Sequence, residues 1–448
     1  MKRNYIYLSL SILILILIIV IILLFSKMNI EDNSTSSTIS PEITSNLSTN
    51  DSTNHTTQST TSNINTLPLS LNESFITGAD ISSIIALEES GVIFYDYAGN
   101  SQDIFKTLYD NGINYIRVRL WNNPYDEAGN TYGGGHNDLA TAIKIGKRAT
   151  QNNLPLYVDF HYSDFWADPS KQMVPKSWSS MNLSEKEAAL YDYTKISLES
   201  LINEGINIGM VQVGNETNYC FCGETSWDSI CLLLNAGVKA VREVASEYNM
   251  NINIALHFTN PEIANNYKTI SYELNKHNVD YDIFASSYYP YWHGDLDNLV
   301  GVLSYVADTY NKKVMVAETA YPYTLQDTDF FDNSINSYNY TSPIYEVSSN
   351  GQRNYIYDLA SKLSTLGSSC LGFFYWEPAW ISVGNSYNEN SKLWETYGSG
   401  WASSFSKEYD ANDAGKYFGG SSFDNQALFD QYGKPLPSLS IFKELRTN

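Results

Sequence analysis

Met210-Val211-Gln212-Val213-Gly214-Asn215-Glu216 is an apolar, β-prone run that finishes on a carboxylate, and Val314-Met315-Val316-Ala317-Glu318 is a second of the same kind. Working outward from these two, similar short runs recur, each trailed by a segment with helical spacing. They are FITGAD ending at Asp80, YIRVRLW at Trp121, LYVDFH at His161, INIALHF at Phe258, YDIFASSYY at Tyr289 and LGFFYW at Trp376, which makes eight strands in all. Between them Leu139, Ala142, Ile143, Gly146 and Ala149 share one helical face, as do Leu296, Leu299, Val300, Leu303 and Val306. Ser184 with Glu187 reads as a capping box opening the helix after the third strand. Strand and helix alternating eight times predicts an α/β protein, a (β/α)8 TIM barrel over residues 67–448, with long loops after strands seven and eight. A doubly wound open sheet is the competitor. It would carry a glycine-rich phosphate loop after its first strand, and Gly78-Ala79-Asp80 is not one.

Composition narrows the function classes. A net charge of −22 argues against a nucleic-acid partner, because phosphate backbones require a basic face. The 35 Tyr and 9 Trp are a supply suited to stacking on sugar faces, although most single Tyr belong to a core. Residues 7–25 form an apolar stretch long enough to span a bilayer, preceded by Lys2 and Arg3 and lacking an evident cleavage site, so residues 1–30 read as an uncleaved membrane anchor that exports the remainder of the chain. Residues 31–66 are dominated by Ser, Thr and Asn and read as a disordered stalk, with sequons at Asn33, Asn46, Asn50 and Asn54. The expected location is extracellular, tethered at the cell surface or secreted if the anchor is cleaved. An exported domain permits disulfides, so Cys220 or Cys222 could pair with Cys231, while Cys370, beside an apolar strand, reads as a buried free thiol. A zinc site is disfavoured, since no histidine lies near the cysteines.

Catalytic groups of such barrels sit at the C-terminal strand ends. Here those ends carry Asp80, Arg119 with Trp121 and Asn122, His161 with Asp164, Asn215 with Glu216, Tyr288 with Tyr289, Glu318, and Trp376 with Glu377. Two carboxylates facing one cleft are what hydrolysis of a glycosidic acetal needs: one acid to protonate the leaving oxygen, and one carboxylate to attack or stabilise the oxocarbenium-like carbon.

Asn215-Glu216 on strand four and Glu318 on strand seven resemble the clan A retaining glycoside hydrolases. FITGADIS, RVRLWNNPYDEAGNTYGGGHNDL, DFHYSDFWADPSKQ, VQVGNE, SSYYPYWHG, VAETAY, FYWEPAW, LWETYGSGWASS and GSSFDNQALFD are together similar to family 53, the endo-β-1,4-galactanases that cut type I arabinogalactan, from about Phe75 to the C-terminus. The resemblance implies that Glu216 is the general acid/base and Glu318 the nucleophile, with Arg119 and the hydroxyl of Tyr288 or Tyr289 holding Glu318 ionised. It implies a carboxyl separation of about 5 to 5.5 Å. Asn215 would take the sugar 2-hydroxyl, Asp80 another hydroxyl, and His161 and Asp164 would complete a polar floor. Trp376 and Trp292 are expected stacking platforms, with Trp166, Trp121 and Trp401 as weaker ones.

A second site is expected in the long seventh connection, where Asp327, Asp329 and Asn333 have the alternating spacing of a calcium loop. The resemblance adds Ser421 and Asp424 as helpers from the eighth loop, and a structural Ca2+ as cofactor. Phe331 departs from the pattern by standing where the family offers a His. Asn218-Tyr219-Cys220-Phe221-Cys222-Gly223 departs too, which puts the leaving-group side of the cleft in question. A monomer acting on a polysaccharide is the expectation. Xylan or mannan as substrate, or a surface binder without catalysis, are the alternatives; intact Glu216 and Glu318 argue against the binder.

Overall fold

The structure is a computed structural model and describes residues 69–446. The anchor and the stalk expected within residues 1–66 lie outside them, and among the described residues no helix is long and apolar enough to cross a membrane. Eight parallel strands close into a barrel in chain order, as predicted: β1 Ile76–Asp80, β2 Tyr115–Leu120, β3 Leu156–Phe160, β4 Ile208–Val213, β5 Asn253–Phe258, β6 Ile283–Ser287, β7 Lys313–Thr319 and β8 Cys370–Trp376. The crossover helices are α1 Ile84–Glu89 and α2 Ile104–Asp110 after β1, then α3 Leu139–Gln151, α4 Leu183–Asn203, α5 Trp227–Glu247, α6 Asn266–Lys276, α7 Leu296–Tyr310, α8 Ser349–Ser364 and α9 Tyr387–Tyr397.

Strand side chains alternate in direction, so each strand sends one residue in two into the barrel. The outward set (Val118, Val158, Val211, Val213, Leu256, Phe284, Val314 and Val316 among them) packs under the helices as one continuous core. The inward set begins with a separate apolar plug that includes Ile76, Tyr157, Met210, Ala255, Ile283, Met315 and Phe374. Two residues further along β3, β4 and β5 the plug gives way to Asp159, Gln212 and His257, all buried. The interior therefore changes from apolar to polar within one strand step below the mouth.

Two expectations are corrected here. The capping box that opens α4 is Asn182 with Glu185, not Ser184 with Glu187: the Asn182 side chain accepts from the Glu185 N–H, and Glu185 accepts from the Asn182 N–H. The helix begins earlier than the motif was read, and Asn caps as well as Ser. All four cysteines are free thiols. Cys222 lies by Lys186 and Glu224, whereas Cys231 is set in α5 near Glu273 and Asp228, so the two sulfurs have different neighbours. Cys370 is a buried thiol at the start of β8, as expected.

Candidate active site

Arg117, on the inward face of β2, organises the floor of the mouth. Its Nη1 donates to Asp80 Oδ2 at 2.9 Å and to Glu318 Oε1 at 2.8 Å, and its Nη2 to Asp159 Oδ2 at 2.8 Å, Gln212 Oε1 at 3.0 Å and Asn215 Oδ1 at 3.1 Å. Tyr289 donates its hydroxyl to the other Glu318 oxygen at 3.2 Å. Glu318 reaches this position through an irregularity: Ser286 pairs with Val316 but Ser287 pairs with Glu318, so the register slips by one residue. Such a slip re-aims a side chain that strict alternation from Met315 would turn outward.

Glu216 lies beyond the end of β4, after Gly214 at φ +87°, and itself adopts φ +48°. Left-handed backbone at a non-glycine residue is strained and persists where surrounding contacts impose it. The neighbouring segment is held by Gln172, whose amide donates to the Asn215 carbonyl at 2.7 Å, and by the Thr217 N–H on the His257 carbonyl at 3.0 Å. Ser287 donates to Glu216 Oε1 at 2.6 Å, and its hydroxyl also lies 2.9 Å from His257 Nε2. Asn215 Oδ1, which His257 Nδ1 approaches at 2.9 Å, closes a chain of contacts back to Arg117.

The two carboxyls differ electrostatically. Burial, then the charge of Glu318, raises Glu216 to about 8, with the Ser287 bond opposing. Burial and the charges of Asp159 and Asp80 also push Glu318 up, but Arg117 opposes them through a direct ion pair that Glu216 lacks. Glu216 is thus suited to hold a proton, and Glu318 is the carboxylate placed against a fixed cation. Burial and the Arg117 charge drive His257 well below its ordinary value, so it is neutral.

The cleft above this floor has a volume of about 410 Å³. Of the expected residues, Asp80, Arg119, His161, Trp166, Asn215, Glu216, Tyr289, Trp292, Glu318, Trp376 and Trp401 line it. Trp166 and Trp380 stack at 6.2 Å, Trp376 meets Trp380 edge-on at 5.8 Å, and Trp166 donates its indole N–H to the Trp401 carbonyl, giving an aromatic wall from the loops after β3 and β8. Trp292, half exposed, stands on the loop after β6.

Several assignments change. Arg119 does not touch Glu318: it pairs with Glu377 at 2.6 Å and lies over Trp166 at 4.5 Å. One strand step separates it from Arg117, and that step decides which arginine reaches Glu318. Tyr288 donates to the Gly294 carbonyl, outside the cleft, leaving Tyr289 as the phenol at Glu318. Trp121 is wholly buried and gives its N–H to His161 Nδ1, so it supports the site without facing a ligand. Asp164 accepts from the backbone of Asn123 and Lys176, and the Asn122 N–H donates to the Ser163 carbonyl; these residues fasten loops and do not line the cleft. Asp80 and His161 do line it, though both are already bonded, Asp80 to Ser82 and Arg117 and His161 to Asp159 at 3.0 Å.

Residues 76–442 match the family described as glycosyl hydrolase family 53. The chain belongs to this family. It is 57% identical to the endo-β-1,4-galactanase of Bacillus subtilis (strain 168), over 83% of this chain and 86% of that protein. It is 36% identical to the arabinogalactan endo-β-1,4-galactanase of Cellvibrio japonicus (strain Ueda107), over 70% and 82%. The family 53 catalytic domain of Ignisphaera aggregans superimposes with a TM-score of 0.74 at 35% identity, covering 85% of this chain and 98% of that one. A xylanase from Cellvibrio japonicus, at 14% identity and TM-score 0.51, shares the barrel alone. The family 53 scaffold also holds residues that a reading of strand ends overlooks. Arg117, Asp159, Gln212, His257 and Ser287 belong to the strands themselves, and Trp380 comes from a loop. Period-two spacing from Arg119 back to Arg117 was the available signal.

At the second site, single carboxylate oxygens of Asp327, Asp329 and Asp424 lie within 4.8 Å of one another. Asp424 Oδ1 and the Asn333 side-chain oxygen are buried without a hydrogen-bond partner. Burial and then the Asp424 charge push Asp329 far up, and burial takes Asp424 to about 6. Ser421 binds Asp329 Oδ2 through its backbone N–H at 2.7 Å. Phe331 packs its ring near Trp394 at 6.4 Å, so it serves the apolar support of the loop and offers no ligand.

Proposed function

We propose that this chain is an endo-acting retaining glycoside hydrolase that cleaves β-1,4-galactosidic bonds of galactan and type I arabinogalactan by double displacement. The observation that carries the chemistry is the division of labour between the two carboxyls: Glu318 against Arg117 and Tyr289, Glu216 raised to about 8 beside Ser287. The 57% identity to an endo-β-1,4-galactanase carries the substrate.

In the first step Glu318 attacks the anomeric carbon while Glu216 gives its proton to the departing glycosidic oxygen, so the C–O bond breaks as the galactosyl ester forms. With the ester made, Glu318 loses its negative charge and the proton affinity of Glu216 falls. Glu216, now ionised, then takes a proton from water as that water attacks the same carbon, releasing Glu318 and restoring the acid. Asn215 has one amide hydrogen on the Ala167 carbonyl, which leaves its second for the sugar 2-hydroxyl. Trp166, Trp376 and Trp380 line the cleft and supply an apolar face for the sugars.

The composition of residues 1–66 supports work outside the cell. The second site supports a structural Ca2+ bound by Asp327, Asp329, Asn333 and Asp424, with Ser421 beside them: hard oxygen ligands crowded with negative charge, all buried except the exposed Asp327, are what that ion satisfies. Incubating the protein with β-1,4-galactan, xylan and mannan tests the substrate. Reducing ends are expected from galactan alone, with the β-anomer released first by NMR; none from galactan overturns the reading.

A further inference from the structure

The segment from Asn218 to Gly223 comes directly after Glu216 and Thr217. Its first large side chain is Tyr219, half exposed to solvent. An exposed tyrosine on a loop is ordinarily free to move, but this one is fixed at both ends. Its hydroxyl donates to Asn266 Oδ1 at 2.6 Å, and its ring meets Trp227 edge-on at 6.0 Å. Asn266 is itself buried, with its amide donating to the carbonyls of Thr259 and Asn260, both at 2.9 Å. Asn218 ties the same loops together, donating to the Thr259 carbonyl and accepting from the Thr259 N–H.

Thr259 and Asn260 line the cleft beside Glu216. The acid must stand next to the leaving oxygen, so the loops after β4 and β5 border the leaving sugars. Tyr219 thus stands three residues after Glu216 and, through Asn266, is bonded to the segment that carries the cleft-lining Thr259 and Asn260, with its ring fixed and half exposed. A rigid phenol ring is a low-entropy surface for the apolar face of a pyranose.

We propose that Tyr219 is a specificity-determining platform for a leaving-side galactosyl residue beyond the one bonded at the scissile oxygen. The assignment rests on the galactanase reading above. It deepens that reading by extending the leaving side of the cleft.

The test uses the full chain and two substrates: β-1,4-galactan, and a nitrophenyl β-1,4-galactotrioside whose leaving group places no sugar at Tyr219. Tyr219→Ala is expected to lower kcat/KM on galactan by about three- to tenfold, mostly through KM, and to shift the cleavage pattern of labelled galactohexaose, while nitrophenol release stays unchanged. Tyr219→Trp is expected to restore galactan cleavage. Unchanged kinetics and pattern on galactan overturn the platform. So does an equal loss on both substrates, which marks a merely structural side chain. If the wild-type chain cuts another β-1,4-glycan and not galactan, the substrate reading fails instead, and the same variant comparison on that glycan decides the platform.

Discussion

Arg117 and Arg119 stand two residues apart on one face of β2 and do different work. Arg117, on the floor, donates to five acceptors drawn from β1, β3, β4 with the loop at its end, and β7, and one of them is Glu318, the proposed nucleophile. Arg119, at the wall, bonds Glu377 and the Gly134 carbonyl and lies over the faces of Trp121 and Trp166. The floor is a buried charge network in which every member fixes the next. The wall is an aromatic surface whose cation supports ring packing. One strand step therefore separates the contact with Glu318 from the support of the aromatic wall.

The largest expected effect comes from the floor itself. Glu318→Gln removes the attacking charge and should lower kcat on galactan by about 10⁴-fold or more while oligosaccharide binding by calorimetry persists; near-normal turnover would reassign the nucleophile. The contrast between the arginines is next. Arg117→Lys cannot reproduce the planar fork and should reduce kcat/KM on the order of 10²- to 10³-fold, with a lower Tm from the carboxylates left poorly paired. Arg119→Lys should act mainly on KM, by about tenfold or less, through the loosened Trp166 face. Equal kinetic effects at the two positions would break the comparison.

The acid gives a pH prediction. As the proposed acid, Glu216 must be protonated to act, and it is raised to about 8, so kcat/KM should fall on the alkaline side. Ser287 stabilises the ionised form, hence Ser287→Ala should move that alkaline limb to higher pH in a kinetic profile. The same shift has a stability consequence. Between the ordinary carboxylate value of 4.5 and about 8 the native state binds the extra proton, so folding stability from this group falls as pH rises through that window. Glu216→Gln should therefore raise Tm more at pH 9 than at pH 5. The smallest effect belongs far from the floor. Chelation should lower the wild-type Tm by a few degrees, with the loss reversed by Ca2+, and should leave Asp329→Asn unaffected. An unchanged wild-type Tm removes calcium from the account.

Much of this was legible in the chain. Runs of Val, Ile and Phe at strand spacing and apolar faces at helical spacing are local patterns, and they defined eight strands, the helices between them, and Glu216 and Glu318 as the paired carboxyls. Long motifs at the strand ends carried the family. Depth was not legible. YIRVRLW contains both arginines on one face, and nothing local says which one is level with Glu318. Tyr288 and Tyr289 are adjacent aromatics that bond in different places, and Trp121, read at a strand end, is wholly enclosed.

The sequence by itself determined the barrel, its charge, its family and the two carboxyls, because alternation and helical periodicity are properties of neighbouring residues. Only the tertiary structure decided that Arg117 and not Arg119 meets Glu318, that a slipped register turns Glu318 inward, and that Trp166 and Trp380 form one wall. Those outcomes depend on the stagger with which eight strands close on one another, and stagger is a relation between segments distant in the chain.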